Sequence, residues 1–320
     1  MRTSESSHTL LPKWIALPVF CSDPLSSVAY ATEQMLLVLV LGGAAALQFS
    51  AATGMGVAFL LVVVVISYSR TVFEYPNGGG AYAVSKDNFG DTIALIAAAA
   101  LMVDYVLTVA VSVTSGVANL ISALPDLGPY RMNISVATVV IIGLMNLRGI
   151  KESGTAFAFP TYFFISTVIL MIALGLYKEF FAGGLHASTE HLSTQQPEQS
   201  LAPIGLLLLL KAFASGCTAL TGVEAISNGV PQFRRPKARN ASITLIAMGI
   251  LAISMFIGVT TLAILSGAKI AEDPRMLGLP ANFIQQTVIA QLGEAVFGFH
   301  SLGFYALQLA TTLVLVLAAN

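Results

Sequence analysis

The stretch "FCSDPLSSVAYATEQ", residues 20–34, places polar side chains in the middle of an apolar run. Asp23, Pro24, Ser26 and Ser27 lie almost side by side within it. Proline removes a backbone donor and clashes with the preceding turn, and serine competes for backbone groups. Irregular backbone at membrane depth is tolerated only where it is buried in protein or lines a wet cavity. If the run crosses a membrane, it therefore predicts an interrupted helix beside such a cavity.

The composition indicates a membrane protein. Of the 320 residues, 56% are hydrophobic and 10% are charged, and the mean hydropathy is +0.82. Soluble domains carry about 25% charged residues. Apolar runs long enough to cross roughly 30 Å of hydrocarbon recur along the chain, so we predict an all-α membrane protein. The eight predicted spans lie near 14–41, 49–68, 91–123, 132–147, 156–177, 203–230, 241–267 and 299–320.

The lysines and arginines predict the orientation in the membrane. With the N-terminus in the cytoplasm, the cytoplasmic side holds more of them than the outside, as the positive-inside rule requires. The cytoplasmic set is Arg2, Lys13, Arg70, Lys86, Arg148, Lys151, Arg234, Arg235, Lys237 and Arg239, and the outer set is Arg131, Lys178, Lys269 and Arg275. We therefore expect a multi-pass protein of the cell membrane with a cytoplasmic N-terminus.

The sixth predicted span repeats the pattern of the first. The segment "FASGCTALTGVEAISNGV", residues 213–230, carries the carboxylate Glu224, as the first span carries Asp23. It is interrupted near its middle by Gly216, Thr218, Thr221, Gly222 and Glu224. Intramembrane carboxylates are expensive and usually functional. Interrupted segments in corresponding positions are typical of inverted-repeat transporters with a site at the midplane. Taken singly, serine, glycine and proline in membrane helices are more often packing devices or kinks.

The third predicted span carries hydroxyl groups on one helical face. Tyr105, Thr108 and Ser112 follow an i, i+3, i+7 spacing, which brings side chains to the same side of a helix. Such hydroxyls either bond to carbonyls of their own helix or act as neutral oxygen ligands. Beside Asp23 and Glu224, the second interpretation is favoured.

The residue types favour a cationic substrate. Hydroxyl, carboxylate and unwound carbonyl oxygens suit alkali cations or protons. The first interruption has no glycine to present backbone N–H groups to a substrate carboxylate, and Asp23 would repel one. The alternative is a proton-coupled permease for amino acids or amines, in which Asp23 binds an ammonium group. A third possibility is a receptor or regulatory membrane protein that transports nothing.

Catalytic and nucleic-acid functions find no support in the sequence. No catalytic triad, metal-ligand spacing or nucleotide fingerprint stands out, so we predict neither an enzyme nor a bound cofactor or transition metal. The net charge of −1 gives no indication of a nucleic-acid partner.

Four segments carry a resemblance to a known family. The segments "EYPNGGGAYAVSKDNFG" (74–90) and "TGVEAISNG" (221–229) resemble the amino acid–polyamine–organocation (APC) superfamily of permeases, which has a LeuT-like fold. Within it, "SDPLSSVAYATE" (22–33) and "DYVLTVAVS" (104–112) are similar to the KimA-type potassium–proton symporter branch. The resemblance covers the whole chain. It implies secondary active import of K⁺ coupled to H⁺ by alternating access, with these two ions as cargo.

The resemblance also implies site residues and partners. Matched by motif, the K⁺ site consists of Asp23, Tyr30, Tyr105, Thr108, Ser112, Thr221 and Glu224, with Asp23 or Glu224 taking the coupled proton. Full-length members of the branch continue into further spans and a cytosolic domain that binds cyclic di-AMP. We therefore expect residues 1–320 to be the transmembrane core of a truncated transporter, without that domain, in a possible homodimer.

Overall fold

The computed structural model describes residues 10–147, 154–194 and 205–319, and α-helices dominate these ranges. Of the cations used to predict orientation, Arg2, Arg148 and Lys151 lie outside the described residues. The prediction of an all-α protein is confirmed. The helices are α1 (Lys13–Ser26), α2 (Val28–Leu39), α3 (Gly43–Leu47), α4 (Ser50–Glu74), α5 (Gly80–Phe89), α6 (Asp91–Ala123), α7 (Arg131–Leu147), α8 (Gly154–Phe181), α9 (Leu206–Gly216), α10 (Glu224–Asn228), α11 (Lys237–Leu265), α12 (Val288–Phe297) and α13 (Leu302–Ala318).

Seven helical segments within the described ranges are long and apolar enough to cross a membrane. They are Lys13–Leu47, Ser50–Glu74, Asp91–Ala123, Pro125–Leu147, Ala158–Phe181, Leu206–Asn228 and Lys237–Leu265. The second extends past its predicted end at residue 68, since Ser69 and Thr71 bond their hydroxyls to carbonyls one turn earlier. The predicted eighth span corresponds to α13, whose 17 residues rise about 25 Å, short of a roughly 30 Å hydrocarbon core.

The buried core is formed mainly by α1, α2, α4, α8 and α11. Small residues let these helices approach closely, as is usual in membrane bundles. Gly249 of α11 lies against Val65 of α4, and Gly175 of α8 lies against Leu262 of α11. By contrast, α6 and α7 expose many large apolar side chains, which suits a surface in contact with lipid.

The interruption of the first span is confined to a single residue. Ser27 alone separates α1 from α2, and its backbone keeps right-handed helical angles (φ −59°, ψ −26°). Pro24 has no N–H to donate to the Phe20 carbonyl one turn earlier, whereas the Asp23 carbonyl has several donors. It accepts the Ser26 and Ser27 hydroxyls at 2.9 and 3.0 Å and the Ser27 N–H at 3.0 Å. The two serine hydroxyls therefore bond within their own turn, and the chain breaks at Ser27 without unwinding.

The interruption of the sixth span is wide. After α9 ends at Gly216, a 3₁₀ turn covers Cys217–Leu220, and Thr221 follows in an extended conformation (ψ 143°). Gly222 then takes φ +79°, in the left-handed region that glycine enters without a steric penalty. The next helix, α10, begins at Glu224. The unwound segment predicted around Thr221 and Gly222 is thus present.

Two faces of the bundle are distinguished by their contacts. At the face where α1 begins, here called the proximal face, Leu11 donates its N–H to the Gln232 carbonyl at 2.9 Å and accepts from the Arg234 N–H at 3.3 Å. The glycine turn 77–80 packs against Asn228 at the same face. The opposite, distal face holds the ends of α2 and α6 and the short helix α12. The interrupted spans run between these two faces.

Candidate functional site

Ser27 joins the two interrupted spans. Its hydroxyl lies 3.0 Å from the Tyr30 hydroxyl on the next turn and 3.0 Å from the Thr221 hydroxyl in the unwound segment. Thr221 donates its own proton to the Thr218 carbonyl at 2.7 Å. Its lone pairs can therefore accept the single Ser27 proton, for which the Asp23 carbonyl at 3.0 Å is the competing acceptor. The short break between α1 and α2 therefore places Ser27 in direct contact with the wide break between α9 and α10.

Asp23 packs against the backbone of the same unwound segment. Its carboxylate is so close to Gly222 that a Cβ there would lie 2.7 Å from Asp23 Cγ and 2.8 Å from Pro24 Cδ. Only glycine leaves room for this approach, and only glycine tolerates the φ of +79° at this position. Gly222 thus serves both the turn and the contact with Asp23.

The hydroxyl face of α6 closes one side of this group. Ser112 is fully buried and lies close to Tyr30, whose side chain is 2% exposed. Thr108 is also buried, one turn before Ser112 on the same face. The structure thus brings together four of the predicted residues around Ser27, namely Asp23, Tyr30, Ser112 and Thr221, with Thr108 one turn away on α6.

Glu224 and Tyr105 form a second group beside the first. The Tyr105 hydroxyl interacts with Glu224 and with Asn228, one turn further along α10. Glu224 is 7% exposed, whereas Tyr105 is 43% exposed. Tyr105 therefore lies at the edge of the site, next to Glu224, and not in the group around Ser27. Asp23 and Glu224 are still close enough to repel each other.

Several oxygen atoms of this region are buried without a partner. Among the residues that the structure describes, Asp23 Oδ1, Ser112 Oγ, Glu224 Oε1 and Ser227 Oγ are buried and accept or donate no hydrogen bond. Buried polar atoms are normally paired, and an exception calls for a specific explanation. These four atoms come from α1, α6 and α10. Three helices therefore contribute oxygen atoms without a hydrogen-bond partner to this region.

Two residues of the site were missed by sequence reasoning. Ser27 was interpreted as a helix breaker, although its i, i+3 spacing to Tyr30 indicates a shared helical face. Ser227 follows Glu224 at i+3 on α10, which is the same kind of signal. In both cases the spacing was visible in the sequence, but the partner in another span was not.

Comparisons with known proteins give matches over nearly the whole chain. A family model described as amino acid permease matches residues 14–320. The chain is 43% identical over 320 residues to the potassium transporter KimA of Bacillus subtilis (strain 168). This similarity covers 100% of the chain and 50% of KimA. The chain thus spans about half the length of the curated relative that it matches.

Proposed function

Because the chain belongs to the amino acid permease family, we propose that it is the core of a secondary active transporter that imports K⁺ together with H⁺ by alternating access. The observation that carries this proposal is the set of unpartnered buried oxygen atoms on Asp23, Ser112, Glu224 and Ser227. A dehydrated alkali cation needs oxygen atoms in place of its water shell. The similarity to a potassium transporter supports K⁺ as that cation.

The group around Ser27 supplies the ligands for K⁺ in this proposal. Asp23 contributes negative charge, and its Oδ1 is free to coordinate. Tyr30, Ser112 and Thr221 offer neutral oxygen atoms from three different segments, and Thr108 extends the hydroxyl face by one turn. Ser27 orients Tyr30 and Thr221 through its two 3.0 Å contacts. Because the ligands lie on both interrupted spans, a movement of one span relative to the other changes the ligand geometry around the ion.

The proton is assigned to the pair of carboxylates. Asp23 and Glu224 lie close enough to repel each other, and in a low dielectric such repulsion is strong. K⁺ beside Asp23 and a proton on Glu224 together neutralise both carboxylates, and only a neutral site can be buried away from water without a large cost, which couples the two ions. Tyr105, at the exposed edge of the site, gives Glu224 a hydrogen-bonding partner toward solvent.

The orientation follows from the distribution of positive charges. We place the proximal face in the cytoplasm of the cell, because Lys13, Arg70, Lys86 and Arg234 lie on that side of the bundle. The distal face is then outside. A homodimer and regulation by cyclic di-AMP through a domain beyond residue 320 rest on the resemblance and stay predictions.

A permease for amino acids or amines is the second candidate, since the matched family model is described by that substrate class. The geometry disfavours an amino-acid carboxylate. The segment before α10 would have to present its N–H groups to that carboxylate, yet the Asp23 carboxylate packs on Gly222 and Glu224 is in the first turn of α10. A simple amine, which carries only positive charge, escapes this objection.

Ion uptake by the intact protein in proteoliposomes separates these candidates. We expect an inward proton gradient to drive Rb⁺ uptake, with unlabelled K⁺ competing and amino acids and amines not competing. Glu224→Gln is expected to abolish the dependence on the proton gradient, because glutamine cannot carry the coupled proton. If Rb⁺ uptake stays the same after the pH gradient and the membrane potential are collapsed, proton coupling is refuted. If an amine competes with Rb⁺, the second candidate is favoured.

A further inference from the structure

A cavity of about 500 Å³ opens at the distal face. Its lining includes Glu33 and Leu37 of α2, Ala118 of α6, Arg131 at the start of α7, and Thr287 just before α12. On α2 the lining begins at Glu33, one turn beyond Tyr30, and on α6 it begins at Ala118, nearly two turns beyond Ser112. The cavity therefore approaches the K⁺ ligands from outside but ends before it reaches them.

A junction of three helices lies where the cavity ends. Glu33 Oε2 accepts the Val288 N–H at 2.9 Å, so an α2 carboxylate holds the first residue of α12. Thr287 donates its hydroxyl to Asn119 Oδ1 at 2.9 Å and its N–H to Ser122 Oγ at 3.1 Å, so α6 holds the preceding residue. A carboxylate at a helix N-terminus is also favoured by the helix dipole. Two consecutive residues thus tie α12 to both walls of the cavity.

A stripe of polar side chains connects this junction with the K⁺ ligands. Thr108, Ser112, Ser115, Asn119 and Ser122 are all buried and follow each other on α6 at intervals of four, three, four and three residues. This spacing keeps them on a single helical face. Buried polar groups along one face of a membrane helix mark a pathway more often than a lipid contact. The stripe runs from the junction, past Ser115, to the ligand Ser112.

We propose that the junction of Glu33 with Val288, completed by Thr287, Asn119 and Ser122, is the outer gate that separates the distal cavity from the K⁺ site. This inference rests on the proposed transport function. Glu33 is a positioning residue: it holds the start of α12 over the polar stripe and does not contact the ion in this closed arrangement. Release of Val288 frees α12 to move and exposes the stripe to the cavity.

The position of Glu33 also connects the gate with the ion. Glu33 lies three residues after Tyr30 on α2, the same short helix that follows Ser27. A change in how Tyr30 or Ser27 meets K⁺ therefore displaces the carboxylate that holds α12. Once released, that carboxylate faces the cavity and offers a negative charge to an arriving cation.

Cysteine labelling from outside tests the gate without relying on transport. The probe is Ser115→Cys, between the junction and Ser112, in intact protein that also carries Cys21→Ala and Cys217→Ala. A membrane-impermeant cationic thiosulfonate is applied to right-side-out vesicles. We expect Glu33→Ala to accelerate labelling roughly tenfold or more, because a charge-assisted hydrogen bond is lost. Glu33→Gln is expected to change it by less than about threefold, because its amide oxygen still accepts from Val288.

Two further variants complete the test. Ser122→Ala removes the α6 acceptor of the Thr287 N–H and is expected to accelerate labelling by about threefold to tenfold. Gln34→Ala, the neighbour of Glu33, is expected to leave the rate unchanged. If Glu33→Ala, Glu33→Gln and Gln34→Ala are labelled at equal rates, whatever that rate is, the proposed gate is refuted. Since labelling needs no K⁺ movement, a protein that fails to transport Rb⁺ can still support or contradict this inference.

Discussion

Replacing Ser27 by alanine tests the contact between the two interrupted spans. Ser27→Ala removes the 3.0 Å contacts to the Tyr30 and Thr221 hydroxyls. Thr221 keeps the Thr218 carbonyl, whereas the buried Tyr30 hydroxyl loses its 3.0 Å contact and is left with Thr221 and Ser112 as polar neighbours. The loss of a hydrogen bond by a buried polar group costs about 1–3 kcal/mol. We therefore expect a loss of about 2 kcal/mol in the transport transition state, or roughly 30-fold in kcat/KM for Rb⁺ uptake.

Ser26→Ala is the matched control, one residue away. Ser26 is also fully buried, but its hydroxyl donates only to the Asp23 carbonyl at 2.9 Å. That carbonyl keeps the Ser27 N–H at 3.0 Å, so the loss should stay below about 1 kcal/mol, or fivefold in kcat/KM. Both variants are compared by Rb⁺ uptake per milligram of reconstituted protein. If Ser27→Ala transports as well as Ser26→Ala, the contact between the spans has no functional role and the reasoning is refuted.

Two further predictions concern backbone and packing. Gly222→Ala should lose uptake and lower Tm, because the alanine Cβ would lie 2.7 Å from Asp23 Cγ. The control Gly143→Ala, at a position with open space around it, should leave uptake unchanged. Equal Tm values for the two variants would contradict this prediction. Thr32→Val and Thr260→Val each break a buried 2.8 Å hydrogen bond and should each cost about 1–2 kcal/mol, with the double variant less destabilised than the sum. Thermal unfolding in detergent checks both, and additive losses for the threonine pair would exclude the coupling.

The sequence predicted the helical fold well because hydropathy alone determines membrane spans. Seven of the eight predicted spans have a counterpart among the described segments that are long and apolar enough to cross a membrane, and the eighth corresponds to the shorter α13. Backbone groups in lipid must be satisfied within a helix. The extension of α4 to Glu74 was missed, because hydropathy does not register hydroxyls such as Ser69 that bond to their own helix.

The candidate site was predicted in part. The i, i+3, i+7 spacing identified the hydroxyl face of α6, and Gly222 marked the wide interruption. The sequence indicated an interruption at Asp23-Pro24 but not its width, because residue types alone do not show whether the Ser26 and Ser27 hydroxyls bond within their own turn. The contact of Ser27 with Thr221 joins residues 194 positions apart, and a single sequence contains no signal for such a pairing.

The central claim is that Asp23 binds K⁺ where the two interrupted spans meet. Isothermal titration of K⁺ into the intact protein and into its Asp23→Asn variant tests it most directly. Asparagine keeps the size of the side chain but removes its charge. We expect K⁺ affinity to fall by about a hundredfold, or roughly 2.7 kcal/mol, with Tm unchanged within a few degrees. An unchanged Kd for K⁺ in a folded Asp23→Asn protein would contradict the account.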